Sequence, residues 1–185
     1  MMKFIPQSIP DILLIKPLVH TDERGYFVET YKQGLLDEAL GYEVNFTQDN
    51  ESMSVSKGVL RGLHFQSPPF AQNKLVRVTK GKIMDVAVDI RRDSSSFRKY
   101  ISVELSEKNK NQLFIPRGFA HGFVVLSDSA ILSYKVDAYY SPEHSQGIAY
   151  NDKEIRIDWG FSEDEIILSS ADQNYPSLNN SDQLF

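Results

Sequence analysis

From residue 84 to residue 91 the chain alternates between Met84, Val86, Val88 and Ile90 on one side and Asp85, Ala87, Asp89 and Arg91 on the other. Successive side chains of a strand point to opposite faces, so this period of two predicts a strand with one face buried. Residues 75–79 lead into it through Lys80-Gly81, which reads as a hairpin. Further strand segments are expected at 12–17, 25–31, 45–51, 58–65, 101–105, 112–115, 121–126 and 131–139. Helical character is confined to 32–40 and 162–166. Many short strands at close spacing predict an all-β sandwich or barrel with a few short peripheral helices. No repeat, low-complexity tract or composition break marks a linker, so residues 1–185 are expected to form a single domain.

Composition narrows the partners. The net charge is -5 and no Lys/Arg cluster occurs, which sets nucleic acid aside as a partner. The chain has no cysteine, which removes disulfides, thiolate metal sites and Cys nucleophiles and fits a reducing compartment. Near the N-terminus, Pro6 and Pro10 precede an apolar run of only four residues from Ile12, and this segment is expected to be neither a signal peptide nor a membrane span. The expected location is cytoplasmic, with no membrane partner.

Two spacings carry the candidate chemistry. The run PRGFAH, ending at His121, fits Pro-x-Gly-x-x-His, and Gly58 is followed after five residues by His64. Together they resemble the two half-motifs of cupin barrels, which narrows the expected fold to a cupin-type jelly roll. The metal donors of that pattern are altered. Gln66 stands where a second His ligand belongs, and Lys74, six residues before Gly81, stands where Glu belongs. Transition metals and zinc take imidazole and carboxylate donors, and an ammonium repels a cation, so no metal and no cofactor is expected. Former ligand positions point into one cavity, which would bring His64, Lys74 and His121 together. A His can abstract a proton beside a carbonyl, a Lys can stabilise the enolate oxygen, and the Tyr134 phenol can return a proton from the other side. His20 and His144 lie outside both half-motifs and are read as structural or surface residues.

DERGYF (22–27), LRGLHFQ (60–66), DVAVDIRRDSSSF (85–97), LSEKNKNQLFIPRGFAHGFVVLSD (105–128) and YKVDAYYSPEH (134–144) resemble the dTDP-4-dehydrorhamnose 3,5-epimerase family nearly end to end. The resemblance implies a homodimeric jelly roll acting on a nucleotide-linked 4-keto-6-deoxy sugar, in deoxysugar and surface-glycan biosynthesis. C3 and C5 both flank the C4 ketone, so one base and one acid can invert both. His64 is thereby expected to be the proton acceptor, Tyr134 the donor, Asp172 the carboxylate that orients the base, and Lys74 the partner of the C4 oxygen. Arg61 and His121 are expected to hold diphosphate and sugar, and Tyr140 to stack on the nucleobase. Arg24, Phe27, Glu29, Gln48 and Asn50 match the N-terminal binding set, part of which reaches across the dimer in the family.

Two positions depart from the family pattern. Ser145 stands where a binding Glu is usual, and Ala171 where a Lys precedes the terminal Asp. These changes leave the acid/base set intact but point to a related donor, such as a GDP-linked 4-keto heptose, or to inversion of a single carbon. Ser94-Ser95-Ser96, in place of Ser-Pro-Thr, is read as a turn variation. Two other classes compete: a metal-dependent cupin, which Gln66 and Lys74 oppose, and a non-catalytic sugar-nucleotide-binding cupin, which would not require base, acid and orienting Asp together.

Overall fold

A computed structural model describes residues 1–181 and 184–185. Strands are numbered along the chain. One sheet has the order β1 (Lys3–Pro6), β2 (Leu13–Lys16), β10 (Gln112–Ile115), β7 (Lys74–Lys80), β12 (Ala130–Val136), β5 (Gln48–Ser54). The other has the order β13 (Ser145–Gly147), β6 (Leu60–Gln66), β11 (Phe119–Val125), β8 (Lys82–Asp89), β9 (Tyr100–Ser106). All pairings within them are antiparallel. The two sheets form a jelly roll of the cupin type, as the half-motifs predict. Strands β3 (Val19–Asp22) and β4 (Gly25–Val28) form a separate hairpin, and helix α1 spans Gln33–Leu40.

The barrel closes on a core that draws on both sheets. Val76, Val78, Leu113, Ile115 and Leu132 of the six-stranded sheet meet Ile83, Ala87, Leu105, Phe119 and Phe123 of the five-stranded one. Outside the five-stranded sheet, Leu63, Phe65, Val86, Val88 and Ile90 pack under the C-terminal segment through Ile148, Ile155, Trp159 and Leu178. Strand β8 is therefore buried on both faces, contrary to the half-buried strand expected from its alternation. Asp85 and Asp89 are both fully buried, so the polar phase of β8 faces the barrel interior rather than water.

Lys80-Gly81 is not a hairpin turn. β7 pairs with β10 and β12, whereas β8 pairs with β11 and β9, so Gly81 is the corner at which the chain leaves one sheet for the other. Its φ of 77° lies in the region open to glycine, and a Cβ there would collide with the Ser129 carbonyl oxygen. Other boundaries differ for local reasons. β12 stops at Val136, short of the expected 139, where the Asp137 carboxylate accepts hydrogen bonds from Asn73 and Arg117. β8 stops at Asp89, whose carboxylate accepts bonds from Arg91, Ser94 and Ser96. The 162–166 segment is a single 3-10 turn, Glu163–Glu165, opened by a Ser162/Glu165 capping box. Strands β1, β3 and β13 have no counterpart among the expected segments.

Candidate active site

An uninterrupted strand would place Arg61 and His64 on opposite faces, because they are three residues apart. β6 avoids this with a bulge. Its pairing with β11 joins His121 to His64 and then Phe123 to Arg61, so three steps on β6 match two on β11. Gly62 absorbs the extra residue at φ 131°, and a Cβ on it would come within 2.5 Å of the Gly122 Cα. Leu60, Leu63 and Phe65 can then pack outward. Arg61, His64 and Gln66 share the other face.

His64 lines a pocket of about 330 Å³ together with Gln48, Asn50, Phe65, Gln66, Gln72, Lys74, Tyr134, Tyr140 and Ser145. Behind the imidazole, Asp172 Oδ1 lies 2.5 Å from His64 Nε2. An ionised carboxylate can only accept, so Nε2 carries the proton and Nδ1 is left as the basic nitrogen. Asp172 is 5% exposed. Burial works to raise its carboxyl, but hydrogen bonds from His64, the Ser169 hydroxyl and the Gly62 backbone outweigh it and hold the group below the ordinary carboxylate value. The residue is an anion that fixes the ring. Ser169, whose Oγ donates to Asp172 Oδ2 at 2.8 Å, extends the relay and was not anticipated from sequence.

Lys74 and Tyr134 come from the six-stranded sheet, opposite the sheet that carries His64. A ligand between the sheets would present one face to each. Burial pushes the Lys74 ammonium down to about 8, with the Asp85 carboxylate opposing the shift. The Lys74 Nζ donates to the His64 carbonyl at 3.4 Å. Burial also raises the Tyr134 phenol, with Arg61 working against it, so the phenol stays protonated at neutral pH. In the next rung of the same sheet, Asn50 pairs with Tyr134 and Gln48 with Val136, which sets both amides beside the phenol. Gln48 Nε2 donates to Asn50 Oδ1 at 2.8 Å.

His121 stands directly across from His64 on the neighbouring strand. Its Nε2 lies 2.8 Å from Asp85 Oδ1, so a second imidazole is oriented by a second carboxylate. The other oxygen, Asp85 Oδ2, is buried without a hydrogen-bond partner. Sequence reading overlooked Asp85, although its phase in β8, shared with Ala87 of the interior core, was the available signal. Arg61 is anchored at the rim, donating to Ser54 Oγ at 3.1 Å and to the Met53 carbonyl at 3.0 Å.

Gln66, in the position of a lost metal donor, ties loops together. Its Nε2 donates to the carbonyls of Phe70 and Tyr139, and its Oε1 accepts the Ser141 N–H at 2.7 Å. Among the described residues no group of three or more His, Cys, Asp or Glu is placed to hold a metal ion. Arg24, Phe27, Glu29, Arg61 and His121 are not among the residues that line this pocket, so of the three expected to come together, His64, Lys74 and His121, only His64 and Lys74 share it. Phe27 is 65% exposed on the β3–β4 hairpin, Arg24 pairs with Asp22, and Glu29 pairs with Lys32.

A sequence model of dTDP-4-dehydrorhamnose 3,5-epimerase matches residues 6–180. The chain belongs to that family. It is 51% identical to the dTDP-4-dehydrorhamnose 3,5-epimerase of Escherichia coli K12, over 96% of this chain and 95% of that one. It is 49% identical to the enzyme of the same name from Methanothermobacter thermautotrophicus, over 95% and 94% of the two chains. The crystal structure of dTDP-6-deoxy-D-glucose-3,5-epimerase from Legionella pneumophila, in complex with dTDP-4-keto-L-rhamnose, superposes with a TM-score of 0.94 at 45% identity, covering 98% of this chain and 95% of that one. No helix among the described residues is long and apolar enough to cross a membrane.

Proposed function

We propose that the chain inverts C3 and C5 of dTDP-4-dehydro-6-deoxyglucose by removing and returning protons beside the C4 ketone, in deoxysugar and surface-glycan biosynthesis. The observation that carries this reading is the placement of His64, bonded to Asp172 of a 3-10 turn, on one sheet and of Tyr134 and Lys74 on the other, around one pocket. His64 Nδ1 takes the proton from C3 or C5, and the electron pair moves onto the C4 oxygen as an enolate. Lys74, as an ammonium, stabilises that oxygen. Tyr134 gives a proton to the carbon from the opposite face, and the resulting imidazolium and phenolate reset by exchange with solvent. The same pair then serves the second carbon, because both flank the same carbonyl.

Arg61, on the face of β6 that carries His64, and His121, across from His64, would hold diphosphate and sugar, and Tyr140, exposed and lining the pocket, fits a nucleobase face. Arg24, Phe27 and Glu29 stand outside the pocket of their own chain, which fits a homodimer in which the exposed hairpin completes the site of the second copy. Ser145 lines the pocket, and Ala171 is exposed one residue before Asp172. Neither supplies a proton-transfer group, and close identity to enzymes named for the dTDP sugar favours that donor over a GDP-linked one. Titration with dTDP and GDP is expected to show clearly tighter dTDP binding. Incubation of the protein with dTDP-4-dehydro-6-deoxyglucose in deuterated water, followed by NMR, tests the reaction. Deuterium is expected at both C3 and C5 of an inverted product; label at one carbon would make it a mono-epimerase, and label at neither would refute the reading.

A further inference from the structure

Besides Asp172, a second side chain holds the His64 ring. Tyr175 packs against it in a T-shaped arrangement, with ring centroids 5.6 Å apart and planes at 74°. Both handles come from one short stretch. Asp172–Asn174 forms a 3-10 turn with Tyr175 as its C-cap, and in that geometry side chains at i and i+3 eclipse, so carboxylate and phenol ring reach the same imidazole. Pro176 follows and disfavours helical backbone at the residue before it. Tyr175 accordingly lies at φ -65°, ψ 144°. The Ala149 N–H donates to the Pro176 carbonyl at 2.8 Å and moors the segment beside β13.

The seat for the ring is built on the other side. Gly147 pairs with His64 across β13 and β6, and a Cβ at Gly147 would lie 2.5 Å from three atoms of the Tyr175 ring. Only glycine leaves this room. The ring is half-buried, so it is not a core residue. Burial raises its phenol first, followed by the fields of Asp172 and Tyr140.

We propose that Tyr175 is a positioning residue for the proposed epimerisation, its ring wedged between Gly147 and His64 so that the imidazole keeps the orientation that bonds Asp172 and turns Nδ1 to the substrate. The ring, rather than the hydroxyl, performs this role. It rests on His64 being the base. A loosened imidazole slows proton transfer without changing how nucleotide and sugar are held, because small misplacements of a reacting group are expensive in rate.

The test compares Tyr175→Phe, Tyr175→Leu and Tyr175→Ala in the full-length protein, with folding checked by thermal melting. Tyr175→Phe is expected to keep kcat within about twofold, while the Leu and Ala variants lose about tenfold in kcat with KM and the dTDP dissociation constant changed by less than about twofold. A Leu variant with wild-type kcat, a Phe variant as slow as Ala, or a loss confined to KM would overturn the proposal. The His64 Hε1 resonance gives a readout independent of turnover: it should shift in the Leu and Ala variants and stay near its wild-type position in Phe. If wild-type protein exchanges no substrate proton, the epimerase reading fails. If it exchanges and the His64 resonance is unmoved by loss of the ring, only the role of Tyr175 fails.

Discussion

At the scale of single residues, the site works by separating charges that water would otherwise level. In the proposed reaction His64 acts as the base while Asp172 holds the proton of Nε2, so His64→Asn should lower kcat by about a thousandfold and Asp172→Asn by about a hundredfold, measured by steady-state turnover of the 4-keto sugar. Lys74 gives a pH signature. In the proposed reaction its ammonium is the form that stabilises the enolate, and burial lowers its titration to about 8, so kcat should fall as pH rises through about 8. Asp85 opposes the burial, hence Asp85→Asn should move this limb to lower pH; an unmoved limb would detach Lys74 from the step. Stability has the opposite sign. Between about 8 and the ordinary Lys value of 10.5 the unfolded chain binds a proton that the folded chain does not, so the penalty for burying Lys74 is relieved as pH rises across that window. His64, Lys74 and His121 were legible because two spacings survive in the sequence. Asp85 and Tyr175 were not, because their partners His121 and His64 are distant in the chain, and Ser169 was not, because its neighbour Asp172 takes its role from the equally distant His64.

At the scale of elements, two glycines do what no periodicity announces. Gly62 resets the phase of β6 so that Arg61 and His64 share a face, and Gly81 carries the chain from one sheet to the other. Gly62→Ala would force a methyl group against the Gly122 backbone at a positive φ, and we expect it to lower stability by about 2–4 kcal/mol in denaturant unfolding and to reduce kcat through displaced His64. The alternation in β8 identified a strand correctly but not its surroundings. Period two reports which residues share a face; it does not report that the polar face lines an interior site or that the apolar face lies under the C-terminal segment. Hairpin and corner turns share the same Lys-Gly signal, and only the pairing of the flanking strands separates them.

At the scale of the whole molecule, the fold places His64 and Tyr134, the proposed base and acid, on different sheets, with both lining the pocket. The jelly roll itself was readable from strand density and the paired half-motifs. The fate of the N-terminal binding set was not, since Arg24, Phe27 and Glu29 lie on or just after a hairpin whose relation to a pocket would, in the proposed homodimer, depend on the second copy rather than on local sequence. Sedimentation equilibrium should return twice the chain mass of 21.1 kDa, and Phe27→Ala should weaken dTDP binding without altering the His64 resonance. The central claim is that protons leave one face of the sugar to His64 and return to the other from Tyr134. Tyr134→Phe, incubated with dTDP-4-dehydro-6-deoxyglucose in deuterated water, tests it most directly. C3 and C5 should still exchange through His64 while inversion is lost or slowed by orders of magnitude; inversion at the wild-type rate would rule out Tyr134 as the acid.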